Sequence, residues 1–230
     1  NNNFRENIEE VKIINPISSD LNVLRSSLYT NLILFLKKNI DRGFENQSLF
    51  EIGPLFIGKK PGQQITIVCG IRKENQINIF DIKKDVVQTL LELGIDKNET
   101  RISTETPSYY HPGRSGSITA KNNKKLLAYF GQIHPKIIDS TYGFEIFLEN
   151  LVQYKKQNKK DKPTINFSDY QKSERDFAFV VKKDLQAQDL LEIISNVDKL
   201  LVKNVKIFDV YQGENIPADK KSIALKVTIQ

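Results

Sequence analysis

The chain has 230 residues, 39% hydrophobic and 27% charged, proportions that fit a globular protein of one large or two moderate domains. No apolar run approaches the roughly 18 residues needed to cross a bilayer, and one cysteine with two histidines argues against a disulfide framework or a dedicated zinc cage. The net charge of +6 is concentrated in residues 155–162, which carry +4 alone, so bulk charge does not mark the C-terminal region as a nucleic-acid binder.

Taken in order, Ser18-Ser19-Asp20 offers N-caps for a helix with Leu24, Leu28, Leu32 and Leu36 at four-residue spacing. Strands are expected over Leu49–Ile57 and Ile65–Ile71, followed by an amphipathic helix over Asp81–Leu93 that Gly94 stops. Short strands near Gly116–Ala120, Lys125–Gln132 and Glu145–Leu151 bracket a short helix after Pro135. The lysine-rich run 155–163 has no apolar periodicity and reads as a linker between a first domain, 1–154, and a second, 164–230. The second domain reads as strand Arg175–Val181, helix Gln186–Asn196, strand Val202–Tyr211 and strand Lys221–Ile229. The fold class is α+β. The single cysteine makes a reducing cytoplasm the expected location. A chain without methionine that opens Asn1-Asn2-Asn3 and stops inside a strand is expected to be a segment of a longer polypeptide.

Strand alternation sorts the second domain into two faces. Phe177, Phe179 and Val181 share one side of the first strand, while Asp176, Ala178 and Val180 take the other. In the third element, Phe208 and Val210 share a side opposite Ile207, Asp209 and Tyr211. If helices cover the phenylalanine side, Ala178 and Tyr211 emerge on the open one. With the two strands as central neighbours, a small alanine beside an exposed tyrosine leaves a slot for one base, the phenol ring being its platform.

The string Glu174-Arg175-Asp176-Phe177-Ala178-Phe179-Val180-Val181, with Phe208-Asp209-Val210-Tyr211-Gln212-Gly213, Ile216-Pro217 and Lys220-Lys221-Ser222-Ile223-Ala224, resembles the ferredoxin-fold anticodon-binding domain of bacterial phenylalanine–tRNA ligase β subunits. The first half carries Asn15-Pro16, Leu24-Arg25-Ser26-Ser27-Leu28, Asn39 with Arg42, Leu49-Phe50-Glu51-Ile52-Gly53-Pro54-Leu55-Phe56, Asp81-Ile82-Lys83, His111-Pro112-Gly113-Arg114-Ser115 and Gly131-Gln132-Ile133-His134-Pro135. In order and spacing these resemble the catalytic-like domain of the same subunit.

The resemblance implies a class II synthetase-like antiparallel sheet with helices, followed by a ferredoxin-like βαββ(αβ) domain that lacks its closing helix and strand. It also implies pairing with an α subunit, two of each per assembly, binding of tRNA(Phe), and ATP with Mg2+ as needs of the assembled enzyme. No cofactor and no membrane partner are expected for this segment. Its own catalytic residues are expected to be absent. The family's second motif places Arg-x-Glu after a strand like Glu51–Phe56, whereas Ile57-Gly58-Lys59 stands here, and Gly-x-Gly-x-x-x-Arg occurs nowhere. Arg25, Asn39, Arg42 and Glu51 then read as polar groups that fix geometry, and His111 and His134, each before a proline, as turn residues.

For RNA, the resemblance points to Ala178 and Tyr211 as the pair that holds an anticodon base. Arg175, Lys220, Lys221 and Ser222 are the rim residues expected to reach phosphates or sugars. The chain departs from the family before the first strand, where Gln171-Lys172-Ser173-Glu174 replaces a proline and a second basic residue. A free-standing RNA-binding or scaffold protein built from the same two domains is the alternative reading. A single-chain organellar-type ligase requires both missing motifs.

Overall fold

The structure is a computed structural model that describes Phe4, residues 11–151 and residues 170–230. The chain divides into two compact units, Asn1–Lys160 and Asp161–Gln230. The lysine-rich linker 155–163 lies outside the described residues.

In the first unit, β1 (Val11–Lys12) pairs with β2 (Val23–Leu24) ahead of helix α1 (Tyr29–Ile40). The helix therefore starts later than the serine cap signal suggests. Ser19–Leu21 forms a single 3-10 turn, Ser18 makes no capping bond, and Leu24 belongs to β2. Extended residues that pair with β1 satisfy the backbone here, and the helix begins once the apolar stripe Leu28, Leu32, Leu36 can bury. Ser27, whose hydroxyl accepts from the Tyr29 amide at 3.2 Å, stands just before the observed helix start.

A six-stranded antiparallel sheet follows, built from β3 (Gln47–Phe56), β4 (Gln64–Lys73), β5 (Thr100–Ser103), β6 (Tyr110–Ala120), β7 (Leu126–Ile133) and β8 (Tyr142–Phe147). Their spatial order is β3-β4-β8-β7-β6-β5. Helix α2 (Ile79–Glu92) intervenes between β4 and β5. Asn78 and Asp81 close a reciprocal capping box at its start: the Asn78 side-chain oxygen accepts from the Phe80 amide at 2.8 Å, and the Asp81 carboxylate accepts from the Asn78 amide at 2.9 Å. At its end Gly94 (φ +81°) and Ile95 bond back to Leu91 and Leu90, a Schellman stop. The residues after Pro135 form a turn rather than the expected helix, and β5 carries no signal that the sequence pattern isolates.

Two cores sandwich this sheet. On one side α1 packs over β3 and β4, with Tyr29, Leu32, Leu36, Ile67 and Ile71 buried. On the other, α2 packs over β7 and β8, with Ile82, Val86, Leu90, Phe130 and Ile146 buried. Strands covered on both faces lose clean alternation, which is why β4 reads as a continuous apolar run.

The second unit contains β9 (Ser173–Lys182), α3 (Ala187–Val197), β10 (Val202–Tyr211) and β11 (Lys220–Ile229). The sheet order is β10-β11-β9, all neighbours antiparallel. β9 and β10 are thus parallel to each other and separated by β11, the split β-α-β arrangement of a ferredoxin-like half. This corrects the expectation that β9 and β10 lie side by side. Alternation fixes the face of each residue, but strand order follows from the α3 crossover and the hairpin return.

The core of this unit is Leu190, Ile223, Leu225 and Val227, with Val181, Ile194, Val205 and Ile207 against it. Ile207 lies on the core side, opposite to the simple alternation, because a bulge between Ile207 and Asp209 inserts one residue and reverses the parity. Phe177 and Phe179, placed on the core side by their pairing with Leu225 and Ile223, remain 48% and 38% exposed. One helix packed over β10 does not reach across to β9.

Candidate nucleic-acid interface

The face of the second sheet away from α3 is assembled in rows by strand register. Lys182 faces Lys220 at one end. The next row is Val180, Ser222 and Tyr211, and the one after is Ala178, Ala224 and Asp209. Beyond these lie Asp176, Lys226 and Lys206. Side chains directly opposite on antiparallel strands share a face, so all of these emerge on the same side.

Tyr211 closes β10 and is 47% exposed. Its ring rests against Gly213, where an added Cβ would stand 2.6 Å from the phenol oxygen. The hydroxyl donates to the Glu214 carbonyl at 3.3 Å. The ring is therefore held at its far end by the hairpin while its body stays accessible above Ser222. Small side chains form the floor beside it, Ser222 and then Ala224 on β11, with Ala178 on β9 beyond. Ala178 is two strand spacings from β10, about 10 Å away laterally, so it lines the far side of the platform instead of touching the ring.

The candidate residues divide accordingly. Tyr211, Ser222, Ala178 and Lys220 share the open face. Arg175 does not: it pairs with buried Val227 on the other side, and its guanidinium donates to the Glu174 carbonyl at 2.9 Å. Lys221 also leaves the group, since its ammonium donates to the Leu185 carbonyl at 2.8 Å and ties β11 to the turn before α3. Both departures follow from the two-residue period, because odd-numbered positions of β11 face the core.

Three further residues belong to this face. Asp209, two residues before Tyr211, presents an acceptor-only carboxylate next to the ring, suited to the amino and imino donors of a base edge. Ala224 supplies floor area, and Lys182 doubles the positive charge at the rim. Asp209 was legible by alternation as an open-face residue; Lys182 has the parity of Ala178 and Val180, and the pairing of β9 with β11 sets it opposite Lys220. Farther along, the Lys226 ammonium meets the Glu174 carboxylate at 3.0 Å, and that contact, with Asp176 nearby, raises the lysine pKa.

The first unit offers a different surface. The core face under α1 carries an aromatic row, Tyr29–Tyr110–Tyr129–Phe147, with ring centroids 6.1, 6.3 and 5.7 Å apart. Tyr29 and Tyr110 share a hydroxyl hydrogen bond of 2.5 Å, and Tyr109 donates to the buried Glu145 carboxylate at 2.6 Å. Burial first, then the neighbouring acidic groups, pushes the Tyr29, Tyr110 and Cys69 pKa values up, so these groups stay neutral. Arg25 pairs with Glu51 and donates to the Pro54 carbonyl at 3.1 Å, and Asn39 donates to Gln47 at 2.9 Å. These polar residues fix β3 against α1 and the segment before it. The chain then turns back through Ile57–Gln63, closed by an amide–carbonyl bond of 2.9 Å, at the place where the second motif would require an arginine. His134 accepts from the Lys136 amide at 3.2 Å at the turn, as expected, whereas His111, which accepts from the Gly113 amide at 3.0 Å, lies within β6, in the irregular stretch between Tyr110 and Ser115. Among the described residues no three His, Cys, Asp or Glu side chains cluster to hold a metal ion, and no helix is long and apolar enough to cross a membrane.

Comparison with known proteins bears on both units. Residues 1–146 match the model of the phenylalanyl tRNA synthetase beta chain CLM domain, and residues 168–230 match that of the ferredoxin-fold anticodon binding domain. A phenylalanine–tRNA ligase beta subunit of Paramagnetospirillum magneticum is 37% identical over 96% of this chain and 30% of its own length. One from Rhodospirillum rubrum is 37% identical over 95% of this chain and 29% of its own. The chain thus spans less than a third of the length of these relatives. A solved pyrrolysyl tRNA synthetase from Desulfitobacterium hafniense aligns with 62% of this chain and 53% of its own, at 17% identity and a TM-score of 0.48. With a family model covering more than half of its residues, the chain belongs to the phenylalanyl-tRNA synthetase β-chain family.

Proposed function

We propose that the chain is the part of a phenylalanine–tRNA ligase β subunit that docks the α subunit through its first unit and receives the anticodon loop on its second. In this reading the assembly, two α and two β chains, joins phenylalanine to tRNA(Phe) with ATP and Mg2+, and the chemistry belongs to the α subunit. The observation that carries it is the open face of the second sheet. A half-exposed tyrosine ring, a floor of small side chains, a carboxylate and a lysine rim together match what stacking and edge reading of an unpaired base require.

The first unit supports the division of labour. Its sheet is covered on both faces, one of them filled by the tyrosine row, and no arginine follows β3. Positive groups aimed at the ATP phosphates are what adenylate formation needs, so this unit is assigned a structural role. Its exposed apolar residues, Leu34 and Phe35 on α1 with Phe50 and Ile52 on edge strand β3, suit a surface that a partner covers.

Co-expression with the α subunit tests the proposal. The two chains are expected to purify as a stoichiometric complex that charges tRNA(Phe), while the chain alone gives no ATP–pyrophosphate exchange. A lone monomer in the presence of the α subunit, or exchange by the isolated chain, overturns it.

A further inference from the structure

We propose that Lys182 and Lys220 act together as a phosphate clamp at the rim of the base platform, an inference that rests on the RNA reading of that face. The two residues are direct cross-strand partners on β9 and β11, on the same side of the sheet as Tyr211 and Ser222. Like charges directly opposite each other on an antiparallel pair destabilise it. Folding alone therefore gives no reason for the arrangement. Both side chains are exposed, and among the described residues neither makes an ion pair or side-chain hydrogen bond. The contrast within the same strand is informative: Lys221 is engaged by the Leu185 carbonyl, and Lys226 by Glu174. Among the described lysines of β11, Lys220 at the platform's end is thus the one without a side-chain partner.

Distance fits the role. Lys220 is two residues from Ser222 along β11, a rise of about 7 Å. That places Lys220 one row and one strand from the stacking ring, with Lys182 one strand farther out, along the line a backbone takes as it leaves a stacked base. β10 ends at Tyr211, so among the described residues no third strand flanks this row. Asp219 and Asp184, the nearest acidic residues in sequence, lie in the turns at this end, and among the described residues neither carboxylate pairs with Lys182 or Lys220. A sugar–phosphate backbone entering over Lys182 and Lys220 and dropping one base onto Tyr211 uses every open-face feature at once.

The test measures binding of the full chain to a fluorescein-labelled stem-loop with the anticodon-arm sequence of tRNA(Phe), titrated across about 50 to 200 mM salt. Each phosphate contact to a single strand contributes about 0.7 to the slope of log affinity against log salt. Lys182→Gln with Lys220→Gln should lower that slope by about 1.4 and shrink the salt-induced loss of affinity by about sevenfold. The Lys→Arg pair should restore the slope. The doubly substituted chain should unfold at a temperature no lower than wild type, since a repulsion has been removed, whereas a packing role would lower it. Tyr211→Ala should weaken binding with its slope unchanged, which separates the clamp from the platform. An unchanged slope in the double variant, with Tyr211→Ala still weakened, overturns the clamp alone. A chain that binds no stem-loop overturns both readings.

Discussion

Replacing Gly213 by alanine should weaken RNA binding while leaving the fold intact. A Cβ there would stand 2.6 Å from the Tyr211 hydroxyl oxygen and 2.8 Å from its ring carbon Cζ, distances that real Cβ atoms essentially never show. Both atoms are at the far end of a half-exposed side chain, so the ring swings aside and the backbone stays. What is lost is the ring's alignment over Ser222. A base stacked on an aromatic side chain contributes about 1–3 kcal/mol, or about 5- to 150-fold in affinity. Tyr211→Ala should lose that full amount, and Gly213→Ala a part of it. Tyr211→Phe keeps the ring and gives up only a 3.3 Å bond to the Glu214 carbonyl, which water replaces, so its loss should stay within about threefold. Fluorescence anisotropy with the labelled stem-loop gives the affinities, and far-UV circular dichroism melts check the fold. If Tyr211→Phe binds as poorly as Tyr211→Ala, the hydroxyl does the work and the stacking argument is wrong. If Gly213→Ala binds like wild type while Tyr211→Ala fails, the hairpin does not set the ring.

Gly131 adopts φ +149° in β7, and a Cβ there would meet the Ser115 Cα at 2.5 Å and the Arg114 carbonyl at 2.6 Å. Gly131→Ala should therefore cost about 2–6 kcal/mol from strain and overpacking in urea unfolding, against about 1–2 kcal/mol for Gly43→Ala, where nothing lies within 4 Å. Equal midpoints would refute this. The Arg72 guanidinium holds the Glu74 carboxyl below its usual range, bonding it at 2.8 and 3.1 Å. A lowered folded-state pKa stabilises fully above the unfolded value of about 4.3 and loses its effect as pH falls through the folded one. The stability gap between wild type and Arg72→Ala should hold near neutrality and narrow in acid; a gap constant down to acid unfolding would contradict it. Burial pushes the Cys69 thiol up, so iodoacetamide should leave it unmodified in the folded chain at mildly alkaline pH and label it in concentrated urea. Labelling of the folded chain at the unfolded rate would show the site is open.

How far the sequence reaches depends on which physical signal is local. The capping box at Asn78 and Asp81, the Gly94 stop and the alternation in β9 are decided within a few residues, and each element there lies within a few residues of its expected place. The start of α1 is not local: Ser18 looks like a cap, yet β1–β2 pairing takes the backbone bonds first. The turn after Pro135 is short because its residues return directly to β8, where Ile133 bonds back to Thr141 at 2.9 Å. Nor is strand order local. Ala178 and Tyr211 were correctly sorted by face, but β11 lies between their strands and turns a two-residue slot into a platform floored by Ser222 and Ala224. The bulge at Phe208 is equally silent, since nothing in Lys206-Ile207-Phe208-Asp209 announces an extra residue. Arg175 and Lys221 show the converse: their charge suggested RNA, while their parity, readable from the same alternation, already pointed to the core side.

The two units use an antiparallel sheet in opposite ways, and this fixes the kind of contact each can make. An antiparallel sheet can be solvated on one face or buried on both. In the first unit α1 and α2 cover both faces except over β3, where Phe50 and Ile52 stay exposed, so what stays available is that margin and outer helix surface. The β3 edge, with Phe50 72% exposed, is a long strand with unpaired backbone groups among the described residues. Such a surface suits a folded partner that can cover an edge and a helix together. In the second unit, among the described residues, only α3 covers the sheet, and the opposite face keeps small residues where a core would demand large ones. Ala178, Ala224 and Ser222 in adjacent rows leave a shallow, flat floor beside a standing ring. A protein partner gains little apolar burial on such a floor, whereas a planar base gains a whole ring face and the lysine rim gains its phosphates. The distribution of covered and uncovered faces thus argues for a protein on the first unit and a nucleic acid on the second.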